Sequence, residues 1–302
     1  MSQDQPLHFS TVALLASVKV EAVSSTLEKL QSYLHSEGCE VVFEESTAQL
    51  MPHTPAALKL SEFAGRVDLC IVVGGDGSML SASRKIAATG IPMLGINRGR
   101  LGFLTDISPD ELAERVAPVL RGQYNTSQRF MLNTEISRNG ELLSRGRAVN
   151  DVVLHPGRSV RMMEFDLYVD KQFVYSQSSD GVIVATPTGS TAYALSAGGP
   201  ILFPELDAII VVPLNPHTLS SRPITLSGNA CIELQVSARN ELMPLVTCDG
   251  HNDFVTQPGD IITITKHPDV LKLIHPSDHN FYEICRSKLG WGGRLGKPLK
   301  EQ

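Results

Sequence analysis

"VVGGDGSML", residues 72–80, is the stretch from which the rest of the chain is read. Two β-branched apolar residues run into three glycines set around one carboxylate, and a helical pattern resumes at Met79. Glycines in such a place let the backbone turn sharply or let a ligand come close. A strand ending in a glycine turn that opens a helix directs main-chain N–H groups at phosphate oxygens. A carboxylate beside bound phosphates is repelled by them, so Asp76 is not there for affinity. It makes chemical sense as a base that takes a proton from a hydroxyl attacking phosphorus, or as a ligand of the accompanying Mg²⁺. The plain alternative is a tight turn in which Asp76 caps the helix.

Outward from this turn, the N-terminal part alternates strand and helix. STVALLAS, EVVFEE, VDLCIVV (67–73) and IPMLGIN (91–97) are apolar runs of strand length. Between the first two, Val23, Leu27, Leu30 and Leu34 fall on one helical face, with Gly38 as the stop. SMLSASRKIAATG predicts a helix ending at Gly90, and SPDELAERVAPVLRG (108–122) one that opens with Ser108, Pro109 and a capping box to Glu111. Apolar strands separated by helices argue for a parallel sheet covered on both faces, which binds ligands at the carboxyl ends of its strands. After Gly122 the texture becomes β-rich. EISRNGELL turns at Asn139-Gly140 and FDLYVDKQFVYS near Asp170-Lys171, while CIELQVSARNELMPLV and QPGDIITITK continue the period-2 and hairpin signals. The fold class expected is therefore an α/β domain over 1–124 with a Rossmann-like parallel sheet, then an all-β sandwich over 125–280. The closing segment 281–302 is expected to pack back on the first domain as a helix.

Composition narrows the function classes. The 302 residues are 42% hydrophobic and 19% charged, with a formal net charge of −6. That balance opposes nucleic acid or an anionic membrane as the main partner. Five scattered cysteines, with no CxxC pair, indicate neither a zinc site nor a disulfide framework and favour a reducing cytoplasm. The N-terminal MSQDQPLHFS lacks the features of a signal peptide, and no apolar run approaches the ~20 residues that span a bilayer.

A dinucleotide fingerprint would read GxGxxG after the first strand, and a Walker loop GxxxxGK[ST]; neither fits. The second chemistry-bearing stretch is TPTGSTAY, 186–193, whose four hydroxyls and Tyr193 suit a surface that hydrogen-bonds and stacks on a sugar or base. Ser196 lies on the helical face of Tyr193. Asn150-Asp151 at a strand start can grip a vicinal diol, although the pair is also an ordinary turn dipeptide. Asn215 and Arg222 are weak signals alone, and Asp249-Gly250-His251 reads as a hairpin turn first.

Taken in order, GGDGSML, GINRGRLGFLTD, NDVVLHPG, SDGVIVATPTGSTAYALSAGGP, NPHTLSSRP, LIHP and KLGW resemble the bacterial NAD kinases over nearly the whole chain. The resemblance implies a nucleotide site in the cleft between the two domains. It implies phosphorylation of the adenosine-ribose 2′-hydroxyl of NAD⁺ by ATP or another donor, with a divalent metal (Mg²⁺ or Mn²⁺), to give NADP⁺. By position, Asp76 is then the base and Gly77 lies beside the nucleotide. Asn150 and Asp151 hold ribose, while Thr191, Ala192, Tyr193 and Ser196 line base pockets. Arg161, Ser178, Asp180, Asn215 and His251 match further binding positions, some across the subunit interface of a homodimer or homotetramer. Two positions depart from the pattern: the family has Asn-Glu where this chain has Asn150-Asp151, and Ser178 stands where relatives have Arg. A lipid kinase sharing the GGDG turn and a non-catalytic dinucleotide sensor are the competing readings.

Overall fold

The computed structural model describes residues 6–16, 21–51, 53, 56–98, 102–159 and 161–291. The chain segments 99–101 and 292–302, which belong to the GINRGRLGFLTD motif and to the closing segment, lie outside them. In chain order the elements are β1 (Thr11–Ala16), α1 (Glu21–Ser36), β2 (Glu40–Glu44), α2 (Glu45–Ala48), β3 (Ala57–Leu58), β4 (Leu69–Gly74), α3 (Asp76–Ile86), β5 (Met93–Asn97) and α4 (Leu112–Leu120). There follow β6 (Tyr124–Arg138), β7 (Glu141–Ala148), β8 (Asp151–His155), β9 (Met163–Val169), β10 (Gln172–Ser179), β11 (Gly181–Ala185), α5 (Tyr193–Ser196), β12 (Ala208–Leu214) and β13 (Ile224–Ser227). The chain ends with β14 (Ile232–Val236), β15 (Leu245–Cys248), β16 (His251–Val255), β17 (Ile261–Pro276) and α6 (Phe281–Leu289). Two compact units result: one takes the chain up to Ser127 and again from Lys272, the other runs Gln128–Leu271. The sequence reading put the change of domain at 124/125, but no loop marks it there. Instead β6 and β17 are long strands that continue from one unit into the other.

The first unit is built on a parallel sheet in the order β3-β2-β1-β4-β5, and Leu273 and Ile274 at the end of β17 extend it beside β5. This is a doubly wound order, whose switch point falls between β1 and β4. Every residue of β4 and β5 is buried, as a sheet covered on both faces requires. The predicted stripe on α1 is the packed one: Val23, Leu27, Leu30 and Leu34 join Val12, Leu14, Phe43 and Ile71 in one core. Sequence patterning missed α2 and the two-residue β3. It also began α3 too late, since the helix starts at Asp76 and not after the glycine turn. The capping box on Ser108 and Glu111 forms as read, opening a 3₁₀ turn that leads into α4. Helix α6 belongs to this unit, with the Phe281 and Phe103 rings 6.4 Å apart.

The second unit is an antiparallel β-sandwich. One layer holds β10-β9-β14-β17 with the β6–β7 hairpin, and the other is β13-β12-β11-β8-β15-β16. Alternate residues from both layers meet between them, including Phe165, Leu167, Ile232 and Leu234 from one and Val152, Leu154, Val182 and Val246 from the other. The six-stranded layer is also covered on its outer face, where Ile183, Ala185 and Ile210 pack under Ala194 of α5 and Leu202. That double cover explains why GVIVA reads as an unbroken apolar run. Asn139-Gly140 and Asp170-Lys171 all take positive φ, as two-residue hairpins demand. CIELQVSARNELMPLV, in contrast, does not pair with itself: β14 lies between β9 and β17, whereas β15 lies between β8 and β16 in the other layer. Among the described residues no helix is long and apolar enough to cross a membrane. The five cysteines are free thiols, four of them buried.

Leu30 is fully buried, whereas Leu219 is 96% exposed. Leu30→Ala is expected to cost about 2–5 kcal/mol and Leu219→Ala within about 0.5 kcal/mol, read as shifts of the denaturation midpoint.

Candidate active site

In the first unit, β4 ends at Gly74, whose φ of +155° is out of reach for most side chains and where a Cβ would stand 2.2 Å from Ser78 Oγ. Gly75 then precedes Asp76, the first residue of α3, where a carboxylate is favoured by the helix dipole. Both carboxylate oxygens are engaged by the main chain. Oδ2 accepts from the N–H of Phe103 at 2.9 Å and Oδ1 from that of Leu104 at 3.0 Å. Gly102 permits this approach, because a Cβ there would meet Asp76 Oδ1 at 2.0 Å. On α6, Lys288 sets its ammonium 3.7 Å from Asp76 Oδ2 and 5.1 Å from the centre of the Phe103 ring. The carboxylate is thus mounted, half-buried, in one orientation. Gly75 and Gly77 differ from Gly74 and Gly102: among the described residues nothing lies within 4 Å of where their Cβ atoms would be. Packing does not demand glycine at these two positions, so the space they leave is available to a ligand.

In the second unit, a cavity of about 920 Å³ is lined by Asn150, Asp151, Asp180, Ala192, Tyr193 and Asn215 of the predicted residues, with Asp249 and His155 among the others. That volume is of the order of small-molecule sites, roughly 300–1,000 Å³. Its floor is held by Asp249, which sequence reading treated only as part of a turn. Asp249 Oδ1 accepts from the N–H groups of Asn150 (2.7 Å) and Asp151 (3.3 Å), and Oδ2 from that of Val149 (3.1 Å). The turn itself is as read, with Asp249 and Gly250 both at positive φ. So fixed, the Asn150 side chain buries its Oδ1 at the cavity without a hydrogen-bond partner among the described residues. A buried acceptor of this kind normally finds a donor. Asp151 is 5% exposed. Burial, and secondly the neighbouring charge of Asp249, push its carboxyl up to about 7. Asn215, at φ +42°, donates from Nδ2 to Asp180 Oδ2 at 2.9 Å. Tyr193 opens α5 with its ring half exposed.

The hydroxyl-rich loop is used differently from the sequence reading, which saw four hydroxyls offered to a ligand. Thr186 and Ser190 are fully buried. Thr186 Oγ1 donates to the Val149 carbonyl (2.6 Å), Ser190 Oγ to that of Pro187 (2.6 Å) and Thr191 Oγ1 to that of Thr188 (3.2 Å). These bonds, with Gly189 against the Asn150 backbone, brace the cavity from behind. Five predicted residues of the second unit are outside the cavity lining. Thr191 is in the braced turn, Ser196 is exposed on α5 and Ser178 is half-buried in β10. Arg161 is exposed and paired with Glu241, and His251 is exposed with Nδ1 3.0 Å from the Asp249 carbonyl. Among the described residues, one group of side chains has the spacing of metal ligands: Asp106, His275 and His279, in the first unit.

Residues 12–124 match the model of the ATP-NAD kinase N-terminal domain, and residues 149–276 that of the ATP-NAD kinase C-terminal domain. The chain is 54% identical over 290 residues to an NAD kinase of Azotobacter vinelandii, covering 96% of this chain and 98% of that one. It is 53% identical over 289 residues to an NAD kinase of Pseudomonas entomophila, covering 95% and 98%. Among solved structures, yeast NADH kinase in complex with NADH has a similar fold, with a TM-score of 0.84 at 24% identity over 97% of this chain and 91% of the yeast one. An NAD kinase from Archaeoglobus fulgidus in complex with ATP shares the fold at a TM-score of 0.68 and 23% identity, over 93% of this chain and 97% of that one. With both domain models matched in order and relatives above half identity along almost its whole length, the chain belongs to the NAD kinase family.

Proposed function

We propose that this chain transfers a phosphoryl group from ATP, or another phosphoryl donor, to the 2′-hydroxyl of the adenosine ribose of NAD⁺, giving NADP⁺, with Asp76 as general base. The observation that carries the reading is the mounting of Asp76: a carboxylate held by two main-chain N–H groups, between two glycines whose open sides leave room for a ligand. Its oxygens each keep a lone pair beyond the N–H they accept, so a hydroxyl proton has an acceptor ready in place. The start of α3 and Gly77 offer the phosphates a helix N-terminus. Asn150 and Asp151 serve the ribose, Tyr193 and Ala192 the bases, and Asp180 with Asn215 the remaining polar groups, consistent with the carboxylates and amides that line the cavity beside apolar residues. That lining suits a nucleotide better than an acyl chain.

Mg²⁺ or Mn²⁺ in such reactions is carried mainly by the nucleotide's phosphates, with one or two carboxylates. Asp76, with its spare lone pairs, fits a share in that ion, which when bound would neutralise charge on the phosphoryl group. The protein's own part is positioning, because phosphoryl transfer leaves it little covalent work. Arg161, Ser178, Thr191, Ser196 and His251, outside the cavity lining, are accounted for by a homodimer or homotetramer in which some sites are completed by a neighbouring subunit. We place the reaction in the cytoplasm, where free thiols persist.

Asp76→Asn should still bind NAD⁺ while its turnover falls by at least the roughly 10²–10⁴-fold typical of general-base catalysis. An NADP-specific dehydrogenase coupled to the reaction reads this, and full activity in the variant would overturn the assignment. Asp249→Asn replaces a three-bond anionic acceptor by an amide. With about 1.5–3 kcal/mol at stake in hydrogen bonds to a charged group, the KM for NAD⁺ should rise about ten- to a hundredfold. For Asp151 the folded carboxyl holds its proton up to about pH 7, the unfolded one only to about 4. The native state therefore binds the extra proton between these values, and its contribution to stability is complete below about pH 4 and lost as pH rises through about 7. Thermal unfolding of wild type against Asp151→Asn should show the wild type falling behind across that window.

A further inference from the structure

One buried polar cluster of the first unit has no part in the proposed reaction. Asp106 follows the loop whose amides hold Asp76, and Ile107 next to it bridges to Ile96 of β5. His275 is the penultimate residue of β17, and His279 lies in the turn before Asn280 caps α6. Asp106 and His275 are buried at 6% and 2% exposure. Both imidazoles present Nδ1 to the same carboxylate: His275 Nδ1 bonds Asp106 Oδ2, and His279 Nδ1 is 3.2 Å from Oδ1. The two rings stack, with centroids 4.0 Å apart and planes 24° apart. The far nitrogen of His275, Nε2, is bonded to Ser127 Oγ at 2.8 Å.

Two neutral rings, each donating its Nδ1–H to Asp106, satisfy the cluster with protons. A divalent cation satisfies it better, since it replaces both protons and converts both Nδ1 atoms into ligands. The three ligand atoms lie within 4.8 Å of one another, so small shifts bring each to the ~2.0–2.2 Å of a zinc–nitrogen or zinc–oxygen bond. Ser127 supplies the outer contact that orients a ligating imidazole. Asp106 and His279 also line a cavity of about 200 Å³ with Asp278, Glu283 and Arg115. It has room for a water as fourth ligand, and the Arg115 charge is already paired with Asp278 and Glu111.

We propose that Asp106, His275 and His279 bind one divalent transition-metal ion, Zn²⁺ being the ion best suited to two imidazoles and a carboxylate, at a site separate from that of the reaction. The ion would tie the loop after β5 to the turn before α6. Those are the segments that present the Phe103 and Leu104 amides and Lys288 to Asp76, so the ion acts as a staple behind the Asp76 mount.

The test uses the full chain, stripped with a chelator and exchanged into metal-free buffer without nucleotide. Wild type should take up one equivalent of Co²⁺ with visible ligand-field bands, lose them one-for-one to Zn²⁺, and melt at a higher temperature with either ion. Asp76→Asn should do the same, whereas His279→Gln and Asp106→Asn should bind at least about tenfold more weakly, the loss that removing even an outer contact causes. Absence of bands and of a melting shift in folded wild type overturns the site, and this reading does not depend on any variant folding. Binding that survives His279→Gln and Asp106→Asn, or that is lost in Asp76→Asn alone, overturns it too. Because uptake is read without substrate, failure here leaves the kinase reading standing, and failure of Asp76→Asn to lose turnover leaves this one standing.

Discussion

A strand buried on both faces can do chemistry only at its ends. β4 is such a strand: each of its six residues is covered, and its main-chain groups are spent on β1 and β5. The doubly wound order puts β4 beside the switch point, where neighbouring crossovers leave the sheet on opposite faces and open a crevice at the carboxyl ends. Polar function on β4 is thereby confined to the turn after Gly74. The apolar run and the glycine turn are two consequences of one constraint.

Both units solve the problem of holding a loop with the same device. Asp76 gathers the N–H groups of Phe103 and Leu104, and Asp249 gathers those of Val149, Asn150 and Asp151. A carboxylate has lone pairs enough for several donors, and charged hydrogen bonds are about twice as strong as neutral ones. One side chain can therefore fix a stretch of main chain that makes no ladder. The difference is in what the anchor leaves over. Asp76 keeps an exposed edge, whereas Asp249 lies beside Asp151, whose carboxyl is pushed up first by burial and secondly by the Asp249 charge.

The parts of the fold that were legible in the sequence were local. The α1 stripe follows from a 3.6-residue period, and Asn139-Gly140 and Asp170-Lys171 from the left-handed backbone that tight hairpins need. The capping box at Ser108 is complete within four residues. What stayed hidden depends on partners far along the chain. Nothing near β14 or β15 says that they enter different layers, because both are short alternating strands with the same period. The hydroxyls of 186–191 look offered to a ligand because their acceptors, among them the Val149 carbonyl, are not neighbours in sequence. Asp249 lies 99 residues beyond the Asn150 amide that it holds, and a DG turn carries no mark of that second task.

By itself the sequence determined the class of fold, the glycine turn with its carboxylate and, through seven ordered motifs, the family, since each depends on residue type and spacing alone. Tertiary structure decided which of the named residues meet. Of those in the second unit it grouped six around one cavity and left five outside its lining, and it supplied the amides, the lysine and the second aspartate that hold the two sites. The reason is physical. Periodicity, turn preference and capping act over a few residues, whereas a hydrogen bond closed across a hundred residues is selected by the packing of whole sheets and by no pattern inside the segments it joins.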